Sequence, residues 1–407
     1  MSKTIPGDRK KLTASHDLAI FGAPPLFKSA LHVNRPIAPD RAAFDALLDG
    51  VWERNWFTND GPLVRELETR LADWLDVPHC VLTSNATAAL DLVIKALGIR
   101  GEVLLPSYTF ISTAHMLHMV GITPVFCDVD ADMALDPADC ALRIGPKTGA
   151  VIATHVWGSP CNIDALQKLC DAHDIPLLFD AAHAFGGCHH GHRLGRFGRA
   201  EIFSLHATKA FHTGEGGVVT TCDAELAAQL RLMRNFGFSQ TGEVQCTGLN
   251  AKMSEVHAAM GLANLDAIDA TRATAKRVHQ GYQKGLEGIP GLSLRVPAYH
   301  EDSNHHYVVA LIDADGFGMS RDTLLRLLVA ENVLARRYFH PGGHRCLPFA
   351  DANAELELPR TDALCEEVMV LPAGAGANIV PVQEICDLIR FIHRKCEEIT
   401  AATNSKF

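Results

Sequence analysis

The stretch from Cys80 to Cys127, CVLTSNATAALDLVIKALGIRGEVLLPSYTFISTAHMLHMVGITPVFC, decides the fold. Short apolar runs at Cys80–Thr83, Val103–Leu105 and Pro124–Cys127 alternate with the longer helical patterns Thr87–Leu97 and Ala114–Val120. Alternation of this kind predicts an α/β fold whose mainly parallel sheet is covered by helices on both faces. Toward the C-terminus, Ala150–Thr154 and Leu177–Asp180 read as further buried strands around the helical stretch Asp164–His173, and Ile202–Leu205 and Val218–Thr221 extend the sheet to seven strands. Toward the N-terminus, Pro62, Leu63, Leu67 and Leu71 mark a helix with proline in its first turn and an i, i+4 apolar stripe. A helical pattern also begins at Arg41. From Met253 to Leu286 one long helical pattern leads out of the sheet region. It reaches a smaller α+β unit with strands expected at Tyr307–Ile312 and Val333–Phe339 and helices at Arg321–Glu331 and Val382–Ile399. The expected organisation is an irregular arm over 1–35, a large domain over 36–265, and the linking helix with a small domain over 266–407.

Composition narrows the function classes. With 37 Lys and Arg against 47 Asp and Glu, the formal charge of −10 argues against a nucleic-acid or anionic-membrane partner. An anionic small substrate needs only a locally basic site and stays open. No apolar run approaches the roughly 18 residues needed to span a bilayer, and the opening MSKTIPGDRKKLTASHD lacks an apolar signal core. Twelve cysteines are scattered without a C-x-x-C pair. The expectation is a cytoplasmic protein with reduced thiols and no zinc knuckle.

Open α/β sheets bind ligands at the carboxyl ends of their strands, and three segments would gather there. Thr83-Ser84-Asn85-Ala86-Thr87 joins a strand to a helix with small polar residues. It reads as an anion seat at a helix N-terminus or as an ordinary helix cap. Leu177-Leu178-Phe179-Asp180-Ala181-Ala182-His183 ends a buried strand on a carboxylate, which is costly without a partner. That partner is a protonated ring nitrogen of a cofactor, a metal, or the donors of a capped helix. Ile202-Phe203-Ser204-Leu205-His206-Ala207-Thr208-Lys209 puts a lysine just beyond another strand, followed by Gly214-Glu215-Gly216-Gly217. A lysine there has a lowered pKa and acts as a nucleophilic amine, or is a solvated surface charge.

Taken in order, S-N-A-T-A-A-L, P-S-Y-T-F-I-S-T-A, F-D-A-A-H-A-F-G, F-S-L-H-A-T-K, E-G-G and G-L-N-A-K-M-S-E resemble the DegT/DnrJ/EryC1/StrS sugar aminotransferases, over residues 18–400. The resemblance implies a fold-type I enzyme with pyridoxal 5′-phosphate (PLP) as cofactor. It implies Lys209 as the Schiff-base lysine, Asp180 on the pyridine nitrogen, and Phe110 stacked on the ring. His183 would lie beside the 3-hydroxyl. Ala86, Thr87 and Ser204 would hold the phosphate, and Asn250 would reach it from a neighbouring subunit, so that a homodimer shares its active sites. Members with histidine in place of the lysine are dehydratases; this chain keeps Lys209. The segments Phe21–Pro25, Trp56–Pro62 and Asn332–His344 look like the branch that aminates C4 of dTDP-4-keto-6-deoxyglucose, although those relatives usually carry another aromatic where His340 stands. By that likeness the reaction is a ping-pong transfer from L-glutamate to a nucleotide-linked keto sugar, for deoxyamino sugars of the O-antigen or lipopolysaccharide kind.

Other features carry two readings. Arg337, His340 and His344 lie in a basic stretch that contacts a nucleotide diphosphate or a substrate carboxylate, or is a surface strand and turn. Trp56 and Phe57 read as staple residues before the Pro62 helix or as part of a sugar-nucleotide pocket. Cys188-His189-His190-Gly191-His192 has metal-binding residue types. His-Gly-His is also ordinary turn composition, and no metal is expected.

Overall fold

The computed structural model describes residues 12–296, 303–373 and 380–404. The chain runs β1 (Leu31–His32), α1 (Arg41–Arg54), α2 (Pro62–Leu75), β2 (His79–Thr83), α3 (Ala86–Ala96), β3 (Glu102–Pro106), α4 (Ser112–Met119), β4 (Thr123–Cys127), α5 (Pro137–Arg143), β5 (Thr148–Thr154), α6 (Ile163–His173) and β6 (Leu177–Asp180). A hairpin of β7 (Cys188–His189) and β8 (His192–Arg193) precedes β9 (Ala200–Ser204), β10 (Gly217–Thr221) and α7 (Ala224–Met233). Then come α8 (Glu255–Leu265), α9 (Ile268–Leu286), β11 (Leu292–Leu294), β12 (Val308–Ile312), α10 (Ala314–Phe317), α11 (Arg321–Ala330) and β13 (Val333–Leu334). The last elements are α12 (Pro359–Glu367), β14 (Val368–Leu371), α13 (Val382–Arg394) and α14 (Cys396–Asn404).

The seven-stranded sheet has the order β2-β10-β9-β6-β5-β3-β4. Every neighbour pair is parallel except those made by β10, which runs against both β2 and β9. The central strands are mostly apolar because both faces are covered; the exception is the buried Glu201 of β9, whose carboxylate accepts from the N–H groups of Gly195 and Phe197. Val151, Phe179 and Phe203 face one buried cluster with α2 and α8, while Ile152, Leu178 and Ile202 face the other with α3, α4 and α7. This alternation leaves one exit for polar side chains, the carboxyl edge, where Thr154, Asp180 and Ser204 end their strands.

The helical pattern from Met253 to Leu286 is two helices rather than one. Asp266 and Ala267 break it, with their N–H groups turned back to Asn264. The apolar period continues across the break because each helix buries a face, but against different cores. Ala258, Leu262 and Leu265 join the sheet, whereas Val278, Tyr282 and Leu286 join the small-domain core with α13. The strand expected over Val333–Phe339 ends at Leu334, beyond which the chain keeps one bridge, Arg336 to Val370. The helix expected over Val382–Ile399 stops at Arg394, and a second begins at Cys396.

The small domain is a sheet in the order β11-β12-β14 packed on α9, α11 and α13. The segment before β1 belongs to this packing. Leu18 is buried in the small-domain core, β1 pairs in parallel with β13, and the Glu331 carboxylate accepts from the N–H groups of Ala19 and Leu26.

Candidate active site

A cavity of about 360 Å³ opens at the carboxyl edge of the sheet. Its floor comes from strand ends. Asp180 follows the three buried residues Leu177–Phe179, and β6 delivers its carboxylate into the cavity. There Oδ2 accepts from Thr113 Oγ1 at 2.7 Å, and Oδ1 accepts from the Ala182 N–H at 3.0 Å. These two donors hold the carboxylate's orientation. Lys209 sits in the loop after β9, turned by its own N–H donating to the His206 carbonyl. Burial pulls its amine down to about 8, against the opposing pull of Asp180. A substantial fraction of the amine is therefore neutral near pH 7 to 8. His183 is held well below the usual imidazole range by burial first, then by Lys209 and His306. Its Nδ1 is buried with no hydrogen-bond partner among the described residues.

An anion seat lies beside the floor. Asn85 caps α3 by accepting from the Ala88 N–H, and the first-turn residues Ala86 and Thr87 line the cavity together with Ser204. Gly217 is the reason these parts meet. It pairs with both Thr83 and Ser204, and a Cβ there would lie 2.6 Å from the Ala86 nitrogen. Only glycine lets β10 pass so close to the helix N-terminus, where the aligned peptide dipoles favour a negative group.

The wall is aromatic. Tyr307, Tyr338 and Phe339 face the cavity; Trp157, buried behind them, stacks on Phe339 (5.1 Å, 10°) and His183 (5.4 Å, 24°), and meets Tyr307 edge-on at 5.2 Å. The Tyr108 hydroxyl donates to the Tyr338 carbonyl at 2.6 Å, tying the wall's last segment to the loop after β3. Asn304 fixes the loop behind His183, donating from Nδ2 to the carbonyls of His183 and Phe185. It packs against Gly158, whose φ of +85° and close approach leave no room for a Cβ. His306 donates from Nε2 to the Thr208 carbonyl, so the segment that supplies Tyr307 also holds the lysine loop.

Lys209, Asp180, Ala86, Thr87, Phe110, His183 and Ser204 all line the cavity. Phe110 is 56 % exposed at its rim, open to a ring stacked against it. Asn250 does not line it; it lies exposed, bridged to Asn235. Arg337, His340 and His344 do not line it either. Arg337 pairs with Asp322 at 3.0 Å, and His340 faces Glu366. His344 is fully buried between Ser107 (2.7 Å) and Asp362 (3.2 Å). In that stretch it is the rings of Tyr338 and Phe339 that turn inward. Trp56 and Phe57 stay partly exposed and outside the cavity. Unforeseen were Thr113, Trp157, Tyr307, Tyr338 and Phe339. Trp157 lies three residues past the end of β5, so the strand-end rule that found Asp180 would also have found its loop.

The residues present fit PLP. Its pyridine nitrogen has an oriented carboxylate in Asp180, and a ring hydroxyl would meet the unpartnered His183 nitrogen. Its phosphate has the α3 N-terminus and Ser204, and its aldehyde carbon has a partly neutral amine in Lys209.

Comparisons with known proteins agree. Residues 40–390 match the model of the DegT/DnrJ/EryC1/StrS aminotransferase family. A dTDP-4-amino-4,6-dideoxy-D-glucose transaminase of Escherichia coli is 34 % identical over 366 residues, covering 88 % of this chain and 97 % of the relative. GDP-perosamine synthase of Caulobacter vibrioides is 31 % identical over 82 % of this chain and 91 % of its own. Among solved structures, DesI in the presence of its TDP-sugar product superposes with a TM-score of 0.91 at 43 % identity, covering 96 % of this chain and all of that one.

Proposed function

The chain belongs to the DegT/DnrJ/EryC1/StrS aminotransferase family, and from that premise we propose that it moves an amino group from L-glutamate to C4 of a dTDP-linked 4-keto-6-deoxy sugar. It is a PLP-dependent nucleotide-sugar aminotransferase. When bound, PLP supplies an electron sink that makes a proton at the carbon bearing nitrogen removable. The observation that carries the reading is the Lys209 amine, lowered to about 8, in one cavity with the Asp180 carboxylate.

Each side chain has a task that follows from its place. Asp180, oriented by Thr113, keeps a ring nitrogen protonated, and a fixed carboxylate costs no reorganisation during the reaction. Lys209 would carry the cofactor's aldehyde and, as the positioned base of the cavity, would take the proton from the donor's Cα. The α3 N-terminus with Ala86, Thr87 and Ser204 binds the phosphate. His183, neutral at physiological pH, accepts or donates one hydrogen bond without adding charge. The wall of Tyr307, Tyr338 and Phe339, backed by the buried Trp157, excludes water and offers flat apolar faces to a sugar ring.

The dTDP-linked 4-keto sugar follows from the Escherichia coli relative and from DesI with its TDP-sugar product. Glutamate as donor rests on the resemblance. A homodimer suits the surface carrying Asn250, where Phe236, Phe238 and Val244 are 46, 42 and 64 % exposed. Nucleotide contacts by Arg337 and His340 remain part of the proposal, from that assembled state. A cytoplasmic location and a role in O-antigen or lipopolysaccharide sugars complete it. No disulfide occurs among the described residues, and none of their helices is long and apolar enough to cross a membrane.

The test is to add L-glutamate to the purified holoprotein and follow its visible spectrum, then to supply dTDP-, GDP- and UDP-linked 4-keto sugars. Loss of the visible band with glutamate, reversed by the dTDP sugar, is the expected result. A band that ignores glutamate overturns the donor; reversal by another nucleotide sugar alone overturns the acceptor.

A further inference from the structure

The hairpin β7–β8 leaves the loop behind His183 and folds over the start of α6. Its two-residue turn, His190-Gly191, has positive φ at both positions (50° and 78°), the conformation that suits a tight hairpin. That turn swings the His190 ring beside that of His189, with centroids 4.0 Å apart. Both rings face Asp164, in the first turn of α6: His189 Nε2 is 3.3 Å from Oδ1 and His190 Nε2 is 2.9 Å from Oδ2.

We propose that Asp164, His189 and His190 form a binding site for a divalent transition-metal ion of the zinc class, separate from the PLP cavity. Two imidazoles and a carboxylate are the donor set such ions take, with metal–ligand distances of about 2.0 to 2.2 Å. Two ligands of one ion therefore lie at most about 4.4 Å apart. The three ligand atoms here lie within 4.8 Å of one another. Asp164 and His190 are 65 and 64 % exposed, so a small rotation of either closes the set, while the 1 % exposed His189 ring is fixed. The exposed side leaves room for water ligands. His192 turns away, its Nδ1 facing Arg196 at 3.1 Å, and Cys188 lies on the opposite face of the strand from His189. The sequence cluster is therefore only partly the site. Two of its histidines take part, and the third ligand comes from a helix 25 residues upstream.

Bound metal would tie α6 to the hairpin that follows Phe185, whose carbonyl Asn304 holds beside that of His183. The consequence is stability of that loop rather than chemistry. The test uses full-length untagged holoprotein and its variants Asp164→Asn and His190→Gln, both at exposed positions. Each is dialysed against zinc chloride at graded concentrations, bound zinc is counted, and the melting temperature is measured. The variants carry every cysteine of the parent, so thiol-bound zinc cancels in the comparison. The expected result is one more zinc per chain in the parent than in either variant. Its affinity should fall at least about tenfold on loss of one ligand, and zinc should raise the melting temperature by about 2 °C or more in the parent alone. Equal zinc uptake by parent and variants overturns the proposal, as does no uptake by the parent at about a hundred micromolar, beyond the range of a useful site.

Discussion

The floor and the wall of the cavity are built on opposite plans. Most floor groups stand at the end of their own strand or at a helix N-terminus and are held by backbone geometry; Lys209, in the loop after β9, is held by its N–H on the His206 carbonyl and by His306 on the neighbouring Thr208 carbonyl. Asp180 sits on β6, Ser204 on β9, and Ala86 and Thr87 on α3. The wall has no such frame. Trp157, Tyr307 and Phe339 come from three segments far apart in the chain and are held by stacking on one another and by Asn304 and Tyr108. Chemistry is thus mounted on the rigid sheet, while recognition is mounted on loops that can change without moving it.

Substitutions can break or sharpen this division. The largest effect is expected at Lys209. Lys209→Ala should lower turnover by about 10⁴-fold or more, since the nucleophile and the positioned base are lost together; single-turnover measurement with glutamate checks it, and near-normal transfer would dissolve the floor as described. Asp180→Asn should cost about 10² to 10³-fold in kcat with the fold intact, measured alongside the melting temperature. Thr113→Val leaves the carboxylate charged but less well oriented, and about a tenfold loss in kcat is expected. On the wall, Phe339→Ala should raise KM for the nucleotide sugar by up to about tenfold, the scale of a lost aromatic pair and its buried area. The glutamate half-reaction should change little; an equal loss in both halves would make the wall part of the chemistry.

The smallest effect is in pH. The amine acts as its neutral form, so capture of added PLP by cofactor-free protein should accelerate as pH rises, with its midpoint at about 8. Asp180 raises the amine's pKa, so Asp180→Asn should move that midpoint to lower pH. A midpoint that stays put would mean the two groups do not sense each other.

The same division governs what could be read from sequence. Asp180, Ser204 and Lys209 were legible because a charged or polar residue ending an apolar run is a local pattern with a physical cost. The seven strands were legible because double burial makes them continuous apolar runs. Trp157 and Phe339 were not, since nothing in either segment's own composition says that the two rings stack. Arg337, His340 and His344 stand in a locally basic run, yet each faces a carboxylate, Asp322, Glu366 and Asp362, partners set by tertiary folding. The break at Asp266 stayed hidden because apolar period reports that a helix buries a face and is silent on which core receives it. Asp164 was invisible beside its histidines for the same reason of distance along the chain.

The pairing of β1 with β13 sets an order in time. Leu26 must wait for Glu331, 305 residues downstream, before its N–H finds a carboxylate. At synthesis rates of roughly 5 to 20 residues per second, that wait is about 15 to 60 seconds. Until it ends the apolar side chains of Leu18 and Phe21 are made but have no complete core to enter, and the whole sheet from β2 to β10 is made before Glu331 appears. This segment is thus seated long after it is made. A nascent-chain chaperone has a long window there, and a lesion around Leu18 would be felt as a fault in the small domain, far along the chain.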